Sequence, residues 1–319
     1  MERTIVTGAA GFIGANIARR LLEDGAQPHL FTAPGSARWR LQELADHAPI
    51  VEVDLADSEG IAAAVADARA DHVFHLAAHG GYSWQTDHGA ILRANVLGTS
   101  NLLEACLASG FEVFVNTGSS SEYGLKDHAP TEDEAIEPNS TYAVAKAAAT
   151  MLCRLAAVRT ASNICTLRLY STYGPWEEPR RLVPALAVEG LRGRLPPLVD
   201  PTIARDFVWV GDVVDAYLAV ANATHGEPGA VYNVGTGVQT TLAEAVETVR
   251  DLLAVETRPD WGSMPPRSWD TNRWVADSRK IHGQLGWRAS TSFREGLGMF
   301  AHWLRDRPDT LAFYERQRA

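Results

Sequence analysis

Residues 7–14, TGAAGFIG, set three glycines, Gly8, Gly11 and Gly14, in a G-x-x-G-x-x-G spacing between two segments of different period. RTIVT before them is a short apolar run of strand character. FIGANIARRLLEDG after them carries apolar residues at helical spacing and stops at Gly25. A strand that turns through glycines straight into a helix aims backbone N–H groups and the positive helix end at one point. Without Cβ atoms in the way, a pyrophosphate can sit there. The motif therefore predicts a parallel βαβ unit with its ligand beyond the carboxyl ends of the strands.

The following residues continue the alternation. QPHLFT, PIVEVDL, DHVFHLAA, FEVFVNTGSSS and NICTLRLYSTYG read as strands. SEGIAAAVAD, residues 91–109 and residues 141–160 read as the intervening helices. The expected fold class is α/β: a doubly wound parallel sheet with a smaller C-terminal lobe that binds substrate. The dinucleotide-binding domain spans 1–171 with a return segment at about 204–236, and the substrate lobe spans 172–319. Beyond Gly174 prolines punctuate short segments, and SMPPRSWDTNRWV is irregular.

Composition narrows the partners. A net charge of −10 argues against a general nucleic-acid binder. No uninterrupted run of about 18 apolar residues predicts a membrane helix, and the first residues lack the pattern of a signal peptide. Cys106, Cys153 and Cys165 are scattered, with no C-x-x-C pair. They read as buried hydrophobes of a cytoplasmic protein, and no metal site is expected.

The second strand ends in HLFTAPGSARWR, where many dinucleotide-binding units place an acid for the adenosine ribose. Thr32 stands there instead, so nothing repels a 2′-phosphate, and Ser36, Arg38 and Arg40 can donate to one. The cofactor expectation is NADP(H), with NAD as the alternative. Asp54, after the third strand, is expected at the adenine edge with Leu55 beside it.

Tyr142 and Lys146, in TYAVAKAAA, are spaced i, i+4 and share a helix face. A phenol in water titrates at about pH 10, and a neighbouring ammonium lowers that. Such a pair makes an acid/base catalyst. NTGSSSEYG, after the fifth strand, offers the hydroxyl that orients a substrate oxygen. Ser119 is the first choice and Ser120 the second.

Taken together, TGAAGFIG, HLAA, SSSEYG, YAVAK, YGP and RDFVWVGDVVDAYL resemble the extended short-chain dehydrogenase/reductase family, in its nucleotide-sugar epimerase, dehydratase and ketoreductase branch. The resemblance runs over nearly the whole chain, in the family's order. It implies Tyr142 as acid/base, Lys146 on the nicotinamide ribose and Ser119 on the reacting oxygen. Gly8, Gly11, Phe12, Ile13 and Gly14 would form the pyrophosphate turn. Leu76, Ala77 and Ala78 would line the adenine side and bridge toward the nicotinamide, with Asn95 in support and Thr117 at the end of the fifth strand. Ser120, Arg205 and Arg267 would bind the nucleotide diphosphate-sugar substrate.

Two departures bear on the reaction. The related 4,6-dehydratases carry an Asp-Glu pair after the catalytic hydroxyl, where this chain has Ser120 and Ser121, so elimination of water is not expected. The usual Asn before YGP is Ser171. Hydride transfer at C4 of the sugar remains. The missing ribose acid tilts the expectation toward an NADPH-dependent 4-ketoreductase, with a cofactor-recycling 4-epimerase as the alternative and a non-catalytic dinucleotide sensor as a remote one. The two long helices carry apolar faces that relatives pair into a homodimer.

Overall fold

The computed structural model describes residues 3–223, 227–265, 267 and 270–318, so part of the irregular segment near Arg267 lies outside it. Its framework is β1 (Arg3–Thr7), α1 (Phe12–Glu23), β2 (Gln27–Thr32), β3 (Ile50–Glu52), α2 (Ser58–Ala68) and β4 (His72–His75). There follow α3 (His88–Leu92), α4 (Gly98–Ser109), β5 (Val113–Ser119), α5 (Thr141–Thr160), β6 (Ile164–Leu169), β7 (Ser171–Tyr173) and α6 (Leu182–Leu191). Then come β8 (Ala204–Arg205), β9 (Phe207–Trp209), α7 (Val210–Ala221) and β10 (Val231–Val234).

Seven parallel strands form one sheet in the order β10-β6-β5-β4-β1-β2-β3. The order reverses between β1 and β4, which opens a crevice at their carboxyl ends. The sheet is covered on both faces, which is why HVFH in β4 is buried throughout rather than alternating. Ile17 and Leu21 of α1 pack with Val213 and Tyr217 of α7 in one layer. Ile61 of α2, Leu102 of α4 and Cys153 of α5 pack in the other. A third apolar cluster, with Leu186, Val246, Phe300 and Tyr314, belongs to the C-terminal part. It is built from α6 and from helices whose signals the sequence reading passed over. T-L-A-E and S-F-R-E are capping boxes that start the helices Leu242–Leu253 and Phe293–Arg305.

Several elements differ from expectation. Strand 49–55 shortens to β3. The helix expected over 91–109 starts at His88 and contains a π-helical turn at Arg93–Leu97. The strand expected over 163–174 breaks at Tyr170, and β7 leaves the sheet to pair with β9. The return segment supplies a seventh strand, β10. By length and composition α5 is apolar enough to cross a membrane, although Lys146 and Arg154 interrupt its apolar residues. Here it lies against the sheet, burying Ala145, Lys146, Ala149, Cys153 and Ala157. Its other side, with α3 and the π turn, leaves Leu92, Leu97, Val144, Met151, Leu155 and Val158 exposed. The three cysteines are buried and unpaired.

The end of β5 is fixed by a buried ion pair. Gly118 stands opposite Arg168 in the β5–β6 register, and the chain then turns through Ser120–Tyr123. Ser119 and Glu122 form a capping box around this turn. The Glu122 carboxylate, 0% exposed, accepts from Arg168 Nε at 2.9 Å, Ser119 N at 2.8 Å and Thr150 Oγ1 at 3.1 Å. It joins β5, α5 and β6 behind the hydroxyl of Ser119. Gly118 is obligatory here, because a Cβ would lie 2.7 Å from Glu122 Oε1. Removing one partner of a buried pair leaves an uncompensated charge, worth about 3–5 kcal/mol. Glu122→Gln is therefore expected to lose about that much in urea unfolding, with the Glu122→Met/Arg168→Met double variant recovering most of it. Single variants as stable as the parent would contradict the role.

Candidate active site

The glycine turn is built for close approach. Gly8 has φ +65°, and a Cβ on it would sit 2.6 Å from Ala77 N. Gly11 caps α1, whose first turn holds no acid. Phe12 and Ile13 are half-buried on the first turn, and Gly14 is buried. Thr7 Oγ1 accepts from Leu76 N and Ala77 N, both at 3.2 Å, drawing the chain after β4 against the turn. Behind it, His75 Nδ1 meets Thr7 Oγ1 at 2.7 Å and Nε2 meets Thr99 Oγ1 at 2.9 Å. Burial pushes this imidazole down to about 3, so it is neutral. Asn95 is buried and holds the backbone of His79 from both sides, at 2.9 and 2.7 Å. Ala78 is exposed between these anchors. Thr117 spends its hydroxyl on His75 O and Tyr217. Leu55 packs over Gly98, and Asp54 is exposed with a bond to Ala56 N.

The residues expected to hold a 2′-phosphate are not gathered for it. Arg40 is 7% exposed. Its guanidinium donates to Trp176 O at 2.6 Å and Ala10 O at 3.3 Å, so it ties the glycine turn to the second lobe. Arg40, expected as a phosphate ligand, thus lies inside the protein with two of its nitrogens on backbone carbonyls and Nη2 without a hydrogen-bond partner among the described residues. Arg38 pairs with Glu52 at 2.5 Å, a carboxylate opposite Thr32 in the β2–β3 register. Ser36 is half-buried in the turn between them. Thr32 is buried, and its Oγ1 has no partner among the described residues. An orphaned hydroxyl beside a glycine cradle fits the adenosine half of a dinucleotide.

At the other end of the crevice, α5 brings Tyr142 and Lys146 up to Ser119. Ser119 Oγ lies 2.8 Å from Ser121 Oγ, and the Ser119 side chain is near enough to the Tyr142 phenol to favour its ionised form. Burial outweighs this and the charge of Arg181 and pushes the phenol up to about 12. Lys146 is 2% exposed; burial lowers it and the Glu122 charge opposes that. The expectation that Lys146 lowers Tyr142 is thus not met here. The desolvation of the phenol dominates, and the ammonium is balanced from behind by Glu122.

Ser120 faces the second lobe and accepts from Trp274 Nε1 at 3.2 Å. With Tyr123, Tyr170 and Arg273 it lines a small cavity. Asp270 gathers the two expected arginines, taking Arg205 Nη2 at 3.3 Å and the Arg267 backbone N at 2.8 Å. The Arg267 side chain is exposed. Two functional positions were missed. Asp206, wholly buried, accepts from Thr236 N, Thr236 Oγ1, Gly237 N and Ala276 N, closing the wall beside Arg205. Arg181, after YGP, has its charge within reach of both Tyr142 and Arg205. Among the described residues its side chain is paired only through Nε, with Glu177 at 3.5 Å. The basic pair in EEPRRL was the available signal. The arrangement can move a proton at a sugar oxygen. Glu122, the acid next to the serines, is sealed against Arg168.

Residues 4–235 match the model of the NAD dependent epimerase/dehydratase family. The chain is 30% identical to a UDP-glucose 4-epimerase of Mycolicibacterium smegmatis, covering 96% of this chain and 99% of that one. It is also 30% identical to a dTDP-glucose 4,6-dehydratase of Streptomyces griseus, over 94% and 93%. MoeE5, solved with UDP-glucuronic acid and NAD, superposes with a TM-score of 0.82 at 33% identity, covering 95% of this chain and 99% of that one. The glycine turn, the Ser119–Tyr142–Lys146 set and these matches agree: the chain belongs to the NAD dependent epimerase/dehydratase family.

Proposed function

We propose that the protein is a nucleotide-sugar 4-epimerase that uses NAD. The observation that carries the reading is the buried Glu122–Arg168 pair, which locks away the acid adjacent to Ser119 while Ser119, Tyr142 and Lys146 stay together at the end of the crevice. Dehydration needs a carboxylate base near C5, and Ser120 and Ser121 stand where the resemblance puts that acid pair. Chemistry at C4 needs only a proton carrier. Bound NAD would supply a hydride acceptor at C4 and, once reduced, a donor. Ser119 donates to the C4 oxygen and orients it. Tyr142 acts as its phenolate, a form that the positive nicotinamide of bound NAD would favour over the neutral phenol of the empty site: it takes the C4 hydroxyl proton and later returns it to the keto oxygen. Lys146, desolvated beside them, would hold the nicotinamide ribose.

The NADPH-ketoreductase expectation leaned on the missing ribose acid at Thr32, with Ser36, Arg38 and Arg40 as donors to a 2′-phosphate. With Arg40 buried and turned to backbone carbonyls and Arg38 beside Glu52, that support weakens, and MoeE5 carries NAD. Thr32, an uncharged residue at the end of β2, is what still favours the reductase as a second reading. For the substrate, MoeE5 is solved with UDP-glucose and with UDP-glucuronic acid. Arg181 has donors to spare near Tyr142 and suits a carboxylate on the sugar.

Tyr142→Phe is expected to cut the epimerisation rate by about 10²–10⁴-fold while NAD binding persists; a fully active variant would sink the assignment. Arg181→Ala is expected to raise KM for UDP-glucuronic acid at least tenfold more than for UDP-glucose. Equal changes for both sugars would remove the carboxylate assignment.

A further inference from the structure

The loop after β4 and the strap after β7 touch through three side chains with no part in the chemistry above. The strap is fixed at the glycine turn. Asn16 Nδ2, on α1, donates to Pro175 O at 3.0 Å. Arg40 reaches from Ala10 O to Trp176 O, and Trp176 itself sits at φ +71°. The loop is fixed at Tyr142. Gln85 Oε1 accepts from Gly80 N at 3.0 Å and Tyr82 N at 3.2 Å. A Cβ on Gly80, which has φ +92°, would lie 3.3 Å from Tyr142 Cδ2 and 2.8 Å from Ile91 Cγ1. The chain can lie flat on the Tyr142 ring only because Gly80 has no side chain.

Between these anchors the Tyr82 and Trp84 rings stack, 4.8 Å apart and 6° from parallel. The Arg180 guanidinium lies 3.7 Å from the centre of the Trp84 ring and is held from the strap by Glu178 at 2.8 Å. Trp84 is 44% exposed, so core packing does not explain an aromatic there. The stack joins a segment anchored at the pyrophosphate turn to a segment anchored at the catalytic tyrosine. Those two points mark the ends of the path that a dinucleotide would follow.

We propose that Arg180, Trp84 and Tyr82 form a clasp that closes over the bound dinucleotide and slows its release. The proposal rests on dinucleotide binding in this crevice. It gives that binding a consequence: an enzyme that must return a hydride to the same sugar profits from a cofactor that stays. An exposed cation–π contact with an aromatic stack is enough to change an opening equilibrium by roughly tenfold.

The test loads the purified protein with NADH, chases with excess NAD and follows NADH fluorescence to obtain the release rate. Trp84→Ala and Arg180→Ala are each expected to release NADH about tenfold faster. Trp84→Phe, which keeps a ring under the guanidinium, should stay within threefold of the parent. Trp84 and Arg180 are both exposed, so the melting temperatures should be unchanged. Release within twofold of the parent in both alanine variants overturns the clasp while leaving the proposed function standing. A parent protein that binds no NADH overturns both.

Discussion

The site depends on one buried ion pair. Glu122 and Arg168 share a region that excludes water, and their bond fixes β5 against β6 at the residue where Ser119 must present its hydroxyl. The same carboxylate reaches Ser119 N and Thr150 on α5, so it sets the distance between the serine and the helix that carries Tyr142 and Lys146. It also balances the Lys146 ammonium, which burial alone would disfavour. An acid employed in this way is not a catalytic base. In the proposed function the ion pair positions Ser119 beside α5 and at the same time occupies the acid nearest to the serines.

A second constraint runs across the crevice. Arg40 and Asn16 tie the strap Gly174–Arg181 to the glycine turn, while Asp206 gathers the loops around Arg205. Arg181, on the strap, is near enough for its charge to act on Tyr142. Cofactor end, catalytic end and substrate end are thus linked by side chains that spend their hydrogen bonds on backbone atoms. Tyr314 adds to this from the C-terminal helix, donating to Glu177 O at 2.7 Å.

The sequence made the local parts legible. The glycine spacing, Y-x-x-x-K and the serines after the fifth strand each follow from short-range geometry, and the strands QPHLFT and RTIVT and the helix 141–160 stand where periodicity put them. What it hid were partners distant along the chain. Arg38 and Arg40 looked like phosphate ligands because Glu52 lies 14 residues away and Trp176 O lies 136 away. Glu122 was visible as the acid of a capping box, but its fate depends on Arg168 from the next strand. Arg181 escaped notice because the strap across the two lobes is what brings its charge within reach of Tyr142. Desolvation was equally invisible: a lysine four residues away suggested a lowered phenol, whereas burial raises it.

The central claim is that this site moves a proton and a hydride at C4 and has no base for C5. It is tested most directly by running the reaction on UDP-glucose and UDP-glucuronic acid in deuterated water. The account predicts the C4 epimer with no deuterium at C4 or C5 and no loss of water. Deuterium at C5 together with a 6-deoxy-4-keto product from UDP-glucose would contradict it.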